Sequence, residues 1–113
     1  MTAVAPRADQ VVSVLTFATL TIPAGQVFQI VTTETSSFLG PGPVYFNVLN
    51  LGPGPVYIRD SEDPAAGDQN SETLPALAAD NGIFVPDAPA GLRILAGSGG
   101  ATVTVRVAVP QYA

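Results

Sequence analysis

A seven-residue segment, Leu-Gly-Pro-Gly-Pro-Val-Tyr, occurs twice in the chain, at residues 39–45 and again at residues 51–57. Gly-Pro-Gly-Pro cannot continue a helix or a central strand, because each proline lacks a backbone N–H and has a fixed φ. Val-Tyr, in contrast, favours a β-strand. Each copy therefore predicts a rigid corner followed by a strand, over residues 44–50 and 56–59. We interpret the repeat as architecture in preference to a paired binding motif, since good turn chemistry recurs without shared binding.

Residues 11–22 and 26–33 are rich in β-branched and aromatic residues, and the turn signal Pro-Ala-Gly separates them. They predict a hairpin or a strand that turns a corner, with Phe28 and Ile30 in the core. Near the other end, residues 101–109 alternate valine with threonine, arginine and alanine. This period of two is typical of a strand with one buried face.

These patterns predict an all-β fold, a single-domain antiparallel β-sandwich of jelly-roll-like or Ig-like type with Pro/Gly-rich corners, over residues 11–113. Residues 1–10 contain Pro6 and Arg7 and have no periodic pattern, so we expect an extended N-terminal arm.

The two strands that follow the corners lie close together in the chain, so we expect residues 44–50 and 56–59 to pair antiparallel. That pairing would bring Tyr57 beside Val48 or Leu49 as a cross-strand contact.

Further along, the sequence predicts a loop and a turn. Residues 60–73 hold five acids among proline, glycine and asparagine, which indicates a solvated loop that faces outward. Residues 74–79 are expected to form a short helical turn or a strand. Asn81-Gly82 is a strong turn signal before the next strand.

The chain contains no cysteine, histidine, tryptophan or lysine, and its four cations are all arginine. It therefore has no thiol nucleophile, imidazole base, Schiff-base lysine or common zinc-ligand set. No feature of the sequence places two carboxylates in a cleft for glycoside hydrolysis. We expect a protein that is not an enzyme and that needs no cofactor.

The net charge and the distribution of the charged residues argue against several classes of partner. The net charge is −5 and the arginines are scattered, which argues against a nucleic-acid backbone as partner. No apolar stretch is long enough for a membrane-spanning helix, and the first ten residues lack the pattern of a secretory leader. Only 12% of residues are charged, about half the usual fraction, so the surface suits contact with other proteins.

Calcium is a separate hypothesis. Asp68 begins a segment with the first ligand spacing of a calcium loop, but Thr73 stands where that loop needs glycine and Ala79 where it needs glutamate. The segment is therefore not an EF-hand. We expect a plain solvated loop, with an irregular calcium site as the alternative.

The run Asn-Leu-Gly-Pro-Gly-Pro-Val-Tyr-Ile-Arg at residues 50–59 precedes a long polar loop, a Pro/Gly corner and a closing Gly-Ser-Gly-Gly-Ala-Thr-Val-Thr-Val. This pattern resembles the small β-sandwich structural proteins of tailed bacteriophages, which decorate or cement capsids and also occur as tail and fibre modules. The resemblance covers residues 27–109. Asn50 with Gly52 matches the hairpin turn of that family, and residues 56–59 match its outgoing strand, whereas the doubled segment is not typical of it.

The resemblance implies a non-enzymatic capsid decoration protein of a bacteriophage virion, assembled in the bacterial cytoplasm and bound to the major capsid protein on the outer surface of the head. It also implies a homo-oligomer, with a trimer as the expected form because such proteins commonly occupy threefold positions. The alternatives are a tail, fibre or head-tail subunit, or a surface-recognition module whose Tyr45, Tyr57 and acidic loop contact a bacterial glycan. The residues expected to make contacts come from the arm, the corners and the adjoining tyrosines: Pro6, Arg7, Pro41, Pro43, Tyr45, Pro53, Pro55 and Tyr57.

Overall fold

The structure is a computed structural model that describes residues 9–14, 16–32, 44–60, 64–67, 69–85 and 91–108. Over these residues the chain forms strands joined by turns and bends, without a helix. The strands, in chain order, are β1 (Gln10–Ser13), β2 (Phe17–Ile22), β3 (Val27–Val31), β4 (Val44–Pro53), β5 (Val56–Arg59), β6 (Glu72–Leu74), β7 (Ala79–Val85), β8 (Leu92–Ala96) and β9 (Ala101–Ala108).

The strands form two sheets, which confirms the predicted β-sandwich. Sheet A has the order β1-β3-β8-β5-β6 and sheet B the order β2-β9-β4-β7. Apart from β1, the strands pair as one long hairpin, since β2 pairs with β9, β3 with β8, β4 with β7 and β5 with β6. The hairpin is wrapped so that β4 also meets β9 and β5 also meets β8. This arrangement is a jelly roll, and it differs from the immunoglobulin strand order.

The core follows from the period-two pattern of the strands. In β9, Val103 and Val105 are fully buried while the intervening threonines are partly exposed. Phe46 is the largest fully buried side chain. Phe28 and Ile30 are both buried, as predicted.

The first strand departs from the antiparallel prediction. β1 pairs in parallel with β3, so it adds a strand at the edge of sheet A instead of continuing into β2. Asp9 fixes its start, because the Asp9 N–H donates to the Val27 carbonyl at 2.9 Å and the Val27 N–H donates to Asp9 Oδ2 at 2.8 Å. Residues 1–8 of the predicted arm lie outside the described residues.

The second copy of the repeated segment carries the chain from one sheet to the other, so the predicted pairing of β4 with β5 is wrong. β4 belongs to sheet B and β5 to sheet A, and Tyr57 pairs with Thr73 and Leu95. We use the term crossing segment for Gly54 and Pro55, which join β4 to β5, and the turn of residues 97–100 holds this segment in place. The Gly54 N–H donates to the Gly100 carbonyl at 2.9 Å and the Gly97 N–H to the Pro55 carbonyl at 2.8 Å. A corner of this kind cannot also close a hairpin.

Asn50 connects this crossing segment to its surroundings. Its side-chain amide donates to the carbonyls of Gly54 and Leu74, both at 2.9 Å, and its Oδ1 accepts from the Gly52 N–H at 2.8 Å. Asn50 is completely buried, and each polar atom of its side chain has a partner. The hairpin turn that the resemblance implies at Asn50 and Gly52 is therefore wrong, because these residues lie at a bulge within β4 and the chain continues into the other sheet.

The structure bears on two local predictions near β7, the helical turn or strand at residues 74–79 and the turn at Asn81-Gly82. Residues 75–78 form a turn between β6 and β7. Asn81 and Gly82 lie within β7, so the predicted turn at this position is wrong. The pairing of β4 with β7 shifts register between Phe46 and Val48. At this bulge the Gly82 N–H donates to Asn47 Oδ1, which satisfies the local hydrogen bond without a reversal of the chain.

Candidate interaction surface

The two outer faces of the sandwich differ in exposure. On the central strands of sheet A, the outward side chains are buried or half-buried, whereas those of sheet B include many exposed ones. We use the term sheet B face for the outward side chains of β2, β4, β7 and β9, which are Phe17, Thr19, Thr21, Tyr45, Asn47, Leu49, Leu51, Ala79, Phe84, Thr102, Thr104, Arg106 and Ala108.

Aromatic side chains lie at one end of the sheet B face. Tyr45 and Phe84 are direct cross-strand partners, with ring centroids 5.5 Å apart and ring planes inclined by 57°. Phe17 pairs across β2 and β9 with Arg106, whose guanidinium carbon lies 5.3 Å from the centre of the Phe17 ring. β2 and β4 flank β9, so Phe17 and Tyr45 are roughly 10 Å apart in the direction across the strands, at about 4.8 Å per strand, and are offset by two residues along them.

The charge on the sheet B face is unlike that of the whole chain. The protein carries a net charge of −5, yet Arg106 is the single charged residue among the outward positions that define this face. Threonines cover much of the rest, and the hydroxyls of Thr21 and Thr102 are 3.3 Å apart. The face therefore combines aromatic rings, hydroxyls and one guanidinium, without a carboxylate.

Aromatic residues and arginine are enriched in protein–protein interfaces, whereas aspartate, glutamate and lysine are depleted. An exposed cation–π pair such as that of Arg106 and Phe17 contributes about 0.5–1 kcal/mol. The pair also holds the long arginine side chain along the sheet, which lowers the entropy that a partner would have to remove. The arrangement is chemically suited to binding another protein.

The outer face of sheet A has a different composition. Tyr57 and Arg59 face outward from β5, and both are half-buried. Arg59 is the direct cross-strand partner of Arg93 on β8. Because β5 and β4 belong to different sheets, Tyr57 and Tyr45 lie on opposite outer faces. The glycan-binding hypothesis has both tyrosines contact the glycan, but the structure does not bring them together.

A carboxyl pair lies where the edge strands β6 and β7 adjoin. Glu72 is paired with buried Ile58, and Asp80 with buried Val48, so both acids project toward the interior side of their sheets. The hydrogen bond to Asp80, together with partial burial and repulsion by the Asp80 charge, raises the pKa of the Glu72 carboxyl to about 7. Glu72 was expected in an outward loop, and this expectation is wrong because the residue begins a strand.

Inward-directed acids on edge strands discourage pairing with the strands of other molecules, because such pairing would bury their charge. The Glu72–Asp80 pair therefore has a structural explanation and does not by itself indicate catalysis. Asp68, the first residue of the calcium-loop segment, lies outside the described residues, so the irregular calcium site stays an untested alternative to a plain solvated loop. Across the described ranges, His, Cys, Asp and Glu form no group of three or more able to hold a metal ion.

The predicted contact residues fall into three groups. Pro6, Arg7, Pro41 and Pro43 lie outside the described residues. Pro53 is exposed at the end of β4, Pro55 is half-buried within the crossing, and Tyr57 is half-buried in β5. Tyr45 is exposed and belongs to the sheet B face.

Phe17, Phe84 and Arg106 were not among the contact residues predicted from the sequence. Phe17 alternates with Ala18 and shares a face with Thr19, and Arg106 alternates with the β9 valines, which places both side chains on polar faces. This alternation is visible in the sequence, but these residues can be assigned to one surface only when it is known which strands share a sheet.

Comparisons with protein-family models, with curated proteins and with solved structures found no match. Within the described part of the chain, no helix is long and apolar enough to cross a membrane.

Proposed function

We propose that this protein is a non-enzymatic structural component of a bacteriophage virion, a decoration protein that binds and stabilises the outer surface of the head through the sheet B face. The observation that carries the proposal is that the described outward positions of this aromatic, arginine-containing face hold no carboxylate, in a chain with a net charge of −5. The resemblance of residues 50–59 and of the closing strand to phage decoration proteins supports the identity of the partner.

The fold is compatible with this role. Jelly rolls occur in viral capsid proteins, although they also occur in lectins and in cupins, so the fold alone does not select a function. The composition of the sheet B face favours a protein partner, since its exposed rings and single arginine are of the types that dominate binding energy at interfaces. The net negative charge would then lie mainly on surfaces that remain in solvent.

Binding to the major capsid protein is tested with expanded phage heads that lack the protein. Purified wild-type protein should sediment with the heads at a fixed stoichiometry and should raise the temperature at which the heads release DNA. Wild-type protein that remains in the supernatant at all concentrations would contradict the proposal. Rings or tubes of the purified protein in electron micrographs would instead favour a tail or head-tail subunit.

A matched pair of variants tests the binding face. Phe84→Thr alters the sheet B face, whereas Val11→Thr makes the same kind of change at an exposed position of edge strand β1, with exposures of 51% and 59%. Burial of a fully exposed phenylalanine is worth about 1.5–3 kcal/mol, and about half of the Phe84 side chain is exposed, so Phe84→Thr should weaken head binding by about four- to tenfold. Val11→Thr should bind as wild type does. Equal effects of the two substitutions would contradict the assignment of the face.

A further inference from the structure

Strand β2 lies at one edge of sheet B. Across the residues that the structure describes, β2 pairs with β9 alone, and that pairing runs from Phe17 to Ile22 without a register shift. An edge strand presents a row of backbone N–H and C=O groups on the side that has no neighbouring strand. We use the term free edge for the side of β2 that faces away from β9.

The hydrogen bond between Thr16 and Val107 shows which residues supply the groups on the free edge. The register of β2 and β9 makes these two residues direct partners, and the Val107 N–H donates to the Thr16 carbonyl at 2.9 Å. Hydrogen-bonded and non-hydrogen-bonded pairs alternate along an antiparallel ladder, so the even-numbered residues of β2 bond to β9. The odd-numbered residues, Phe17, Thr19 and Thr21, therefore direct their N–H and C=O groups to the free edge.

The edges on the opposite side of the sandwich are protected against pairing, whereas β2 is not. β6 has three residues and an inward Glu72, and β7 has an inward Asp80 and a bulge in its pairing with β4. Short edges, inward charges and bulges are the devices by which natural proteins prevent edge-to-edge association. β2 has six residues, without a charge, a proline or a bulge. A further strand therefore fits best at β2.

The free edge is complementary to a second copy of itself. A two-fold axis perpendicular to the sheet aligns two antiparallel copies of β2 and keeps their outward faces on the same side. An axis through Thr19 places the two Thr19 residues opposite each other and Phe17 opposite Thr21. All of these residues direct their N–H and C=O groups to the free edge, so the pairing forms about six hydrogen bonds. An axis through Leu20 would instead place Phe17 opposite Pro23, which has no N–H.

The side chains match in the same register. On the outward face, Thr19 is already the direct partner of Thr104 on β9, so the pairing extends a row of threonines across both copies. Cross-strand threonine pairs stabilise sheets. On the inward face, the half-buried Ala18 of one copy lies opposite the half-buried Leu20 of the other, and the contact buries more of both side chains.

We propose that two copies of this protein pair through their free edges, with Thr19 on the two-fold axis, so that their four-stranded B sheets form one continuous sheet. The second copy is the occupant because it presents the same hydrogen-bonding positions in reverse order and satisfies the row of Phe17, Thr19 and Thr21. The pairing leaves the sheet B faces of both copies on one side, and it does not depend on the proposed function. It is a dimer, whereas the resemblance implies a trimer.

Sedimentation equilibrium of the purified full chain measures the association. A six-residue edge buries less area than a standard interface, so the dissociation constant should lie between about 10 µM and about 1 mM. Thr19→Pro removes an N–H that faces away from β9, and an edge strand tolerates proline at such a position. This variant should raise the dissociation constant at least tenfold. Thr19→Val keeps the N–H and should dimerise as wild type does.

Single cysteines test the register. The chain contains no cysteine, so Thr19→Cys introduces one thiol per copy. The two Cα atoms of a hydrogen-bonded pair lie about 5.5 Å apart, within the range of a disulfide. Thr21→Cys is the matched control, because the proposed register separates its two copies by about 14 Å. Mild oxidation should convert Thr19→Cys into a covalent dimer and leave Thr21→Cys monomeric on a non-reducing gel.

Four results would overturn the dimer. These are a wild-type protein that stays monomeric at about 1 mM, a trimer or open-ended aggregate in sedimentation, a folded Thr19→Pro variant that dimerises as wild type does, and equal cross-linking of the two cysteine variants. If circular dichroism shows that Thr19→Pro is unfolded, the cysteine pair decides. Since these assays use the free protein, a failure to bind phage heads contradicts the proposed function and leaves the dimer standing.

Discussion

Replacing Asn50 with alanine tests the hydrogen bonds that hold the crossing segment. The substitution removes three hydrogen bonds and leaves the carbonyls of Gly54 and Leu74 and the N–H of Gly52 without their partner. All three residues are buried, so water cannot freely replace the amide. An unsatisfied buried group costs about 1–3 kcal/mol, and partial relaxation reduces the sum, so we expect a loss of about 3–5 kcal/mol.

Equilibrium unfolding in urea, followed by tyrosine fluorescence and circular dichroism, measures this loss. The matched control is Asn47→Ala, which removes one hydrogen bond to Gly82 at an exposed site and should cost about 1 kcal/mol or less. Asn50→Asp provides a second test. It keeps the acceptor for Gly52 but places a carboxylate against two carbonyls, so at neutral pH it should destabilise more than alanine does. Acidification should partly restore stability, because a protonated carboxyl can donate one hydrogen bond.

Two results would contradict the role assigned to the Asn50 side chain. If Asn50→Ala costs no more than Asn47→Ala, the crossing segment is held mainly by its backbone contacts with residues 97–100. If Asn50→Asp is as stable as wild type at neutral pH, the amide does not donate to the two carbonyls in solution.

Three further substitutions test other parts of the structure. Phe46→Ala removes the largest fully buried side chain and should lower the free energy of unfolding by about 3–5 kcal/mol in the same urea assay. Gly91→Ala should lower the free energy of unfolding more than Gly25→Ala does. Both positions have a positive φ, but a Cβ at Gly91 would lie 2.1 Å from the Ile30 carbonyl oxygen, whereas a Cβ at Gly25 would meet open space. The Gly25 variant should lose about 1–2 kcal/mol, and equal losses for the two variants would contradict the contact at Gly91. Because the pKa of Glu72 is raised from 4.5 to about 7, the free energy of unfolding of the wild-type protein should increase as the pH falls from 7 toward 4.5. Solvent screening at this exposed pair limits the gain to about 1 kcal/mol. In urea titrations at pH 7 and pH 4.5, Glu72→Gln should remove the pH dependence.

The sequence was sufficient to predict strands wherever alternation was strong. The β9 pattern and the burial of Phe28 and Ile30 follow directly from a period of two, because successive side chains of a strand point to opposite faces. It was also sufficient to predict a break at the second Gly-Pro-Gly-Pro before β5, although β4 extends through Gly52 and Pro53 and so ends three residues later than predicted. These are local properties, and local chemistry determines them.

Pairing between strands was not predictable in the same way. One partner of β4 is β9, whose paired residues lie 48 to 63 positions later in the chain, and no local signal specifies that contact. Asn81-Gly82 shows the converse problem. Its turn chemistry is genuine, since Gly82 has a φ of 87°, but the residues are used in a bulge against Asn47 and not in a chain reversal. A local preference for positive φ does not distinguish these two uses.

The repeated segment shows why sheet membership depends on distant contacts. Val44-Tyr45 and Val56-Tyr57 are identical pairs that begin strands, yet the first pair enters sheet B and the second enters sheet A. In the second copy, Gly54 fits so tightly against the turn of residues 97–100 that a Cβ there would lie 2.3 Å from the Ser98 carbonyl oxygen. That contact directs the following strand into sheet A beside β8. Consequently Tyr45 is available on the sheet B face whereas Tyr57 is half-buried on the other side, although the preceding six residues are the same.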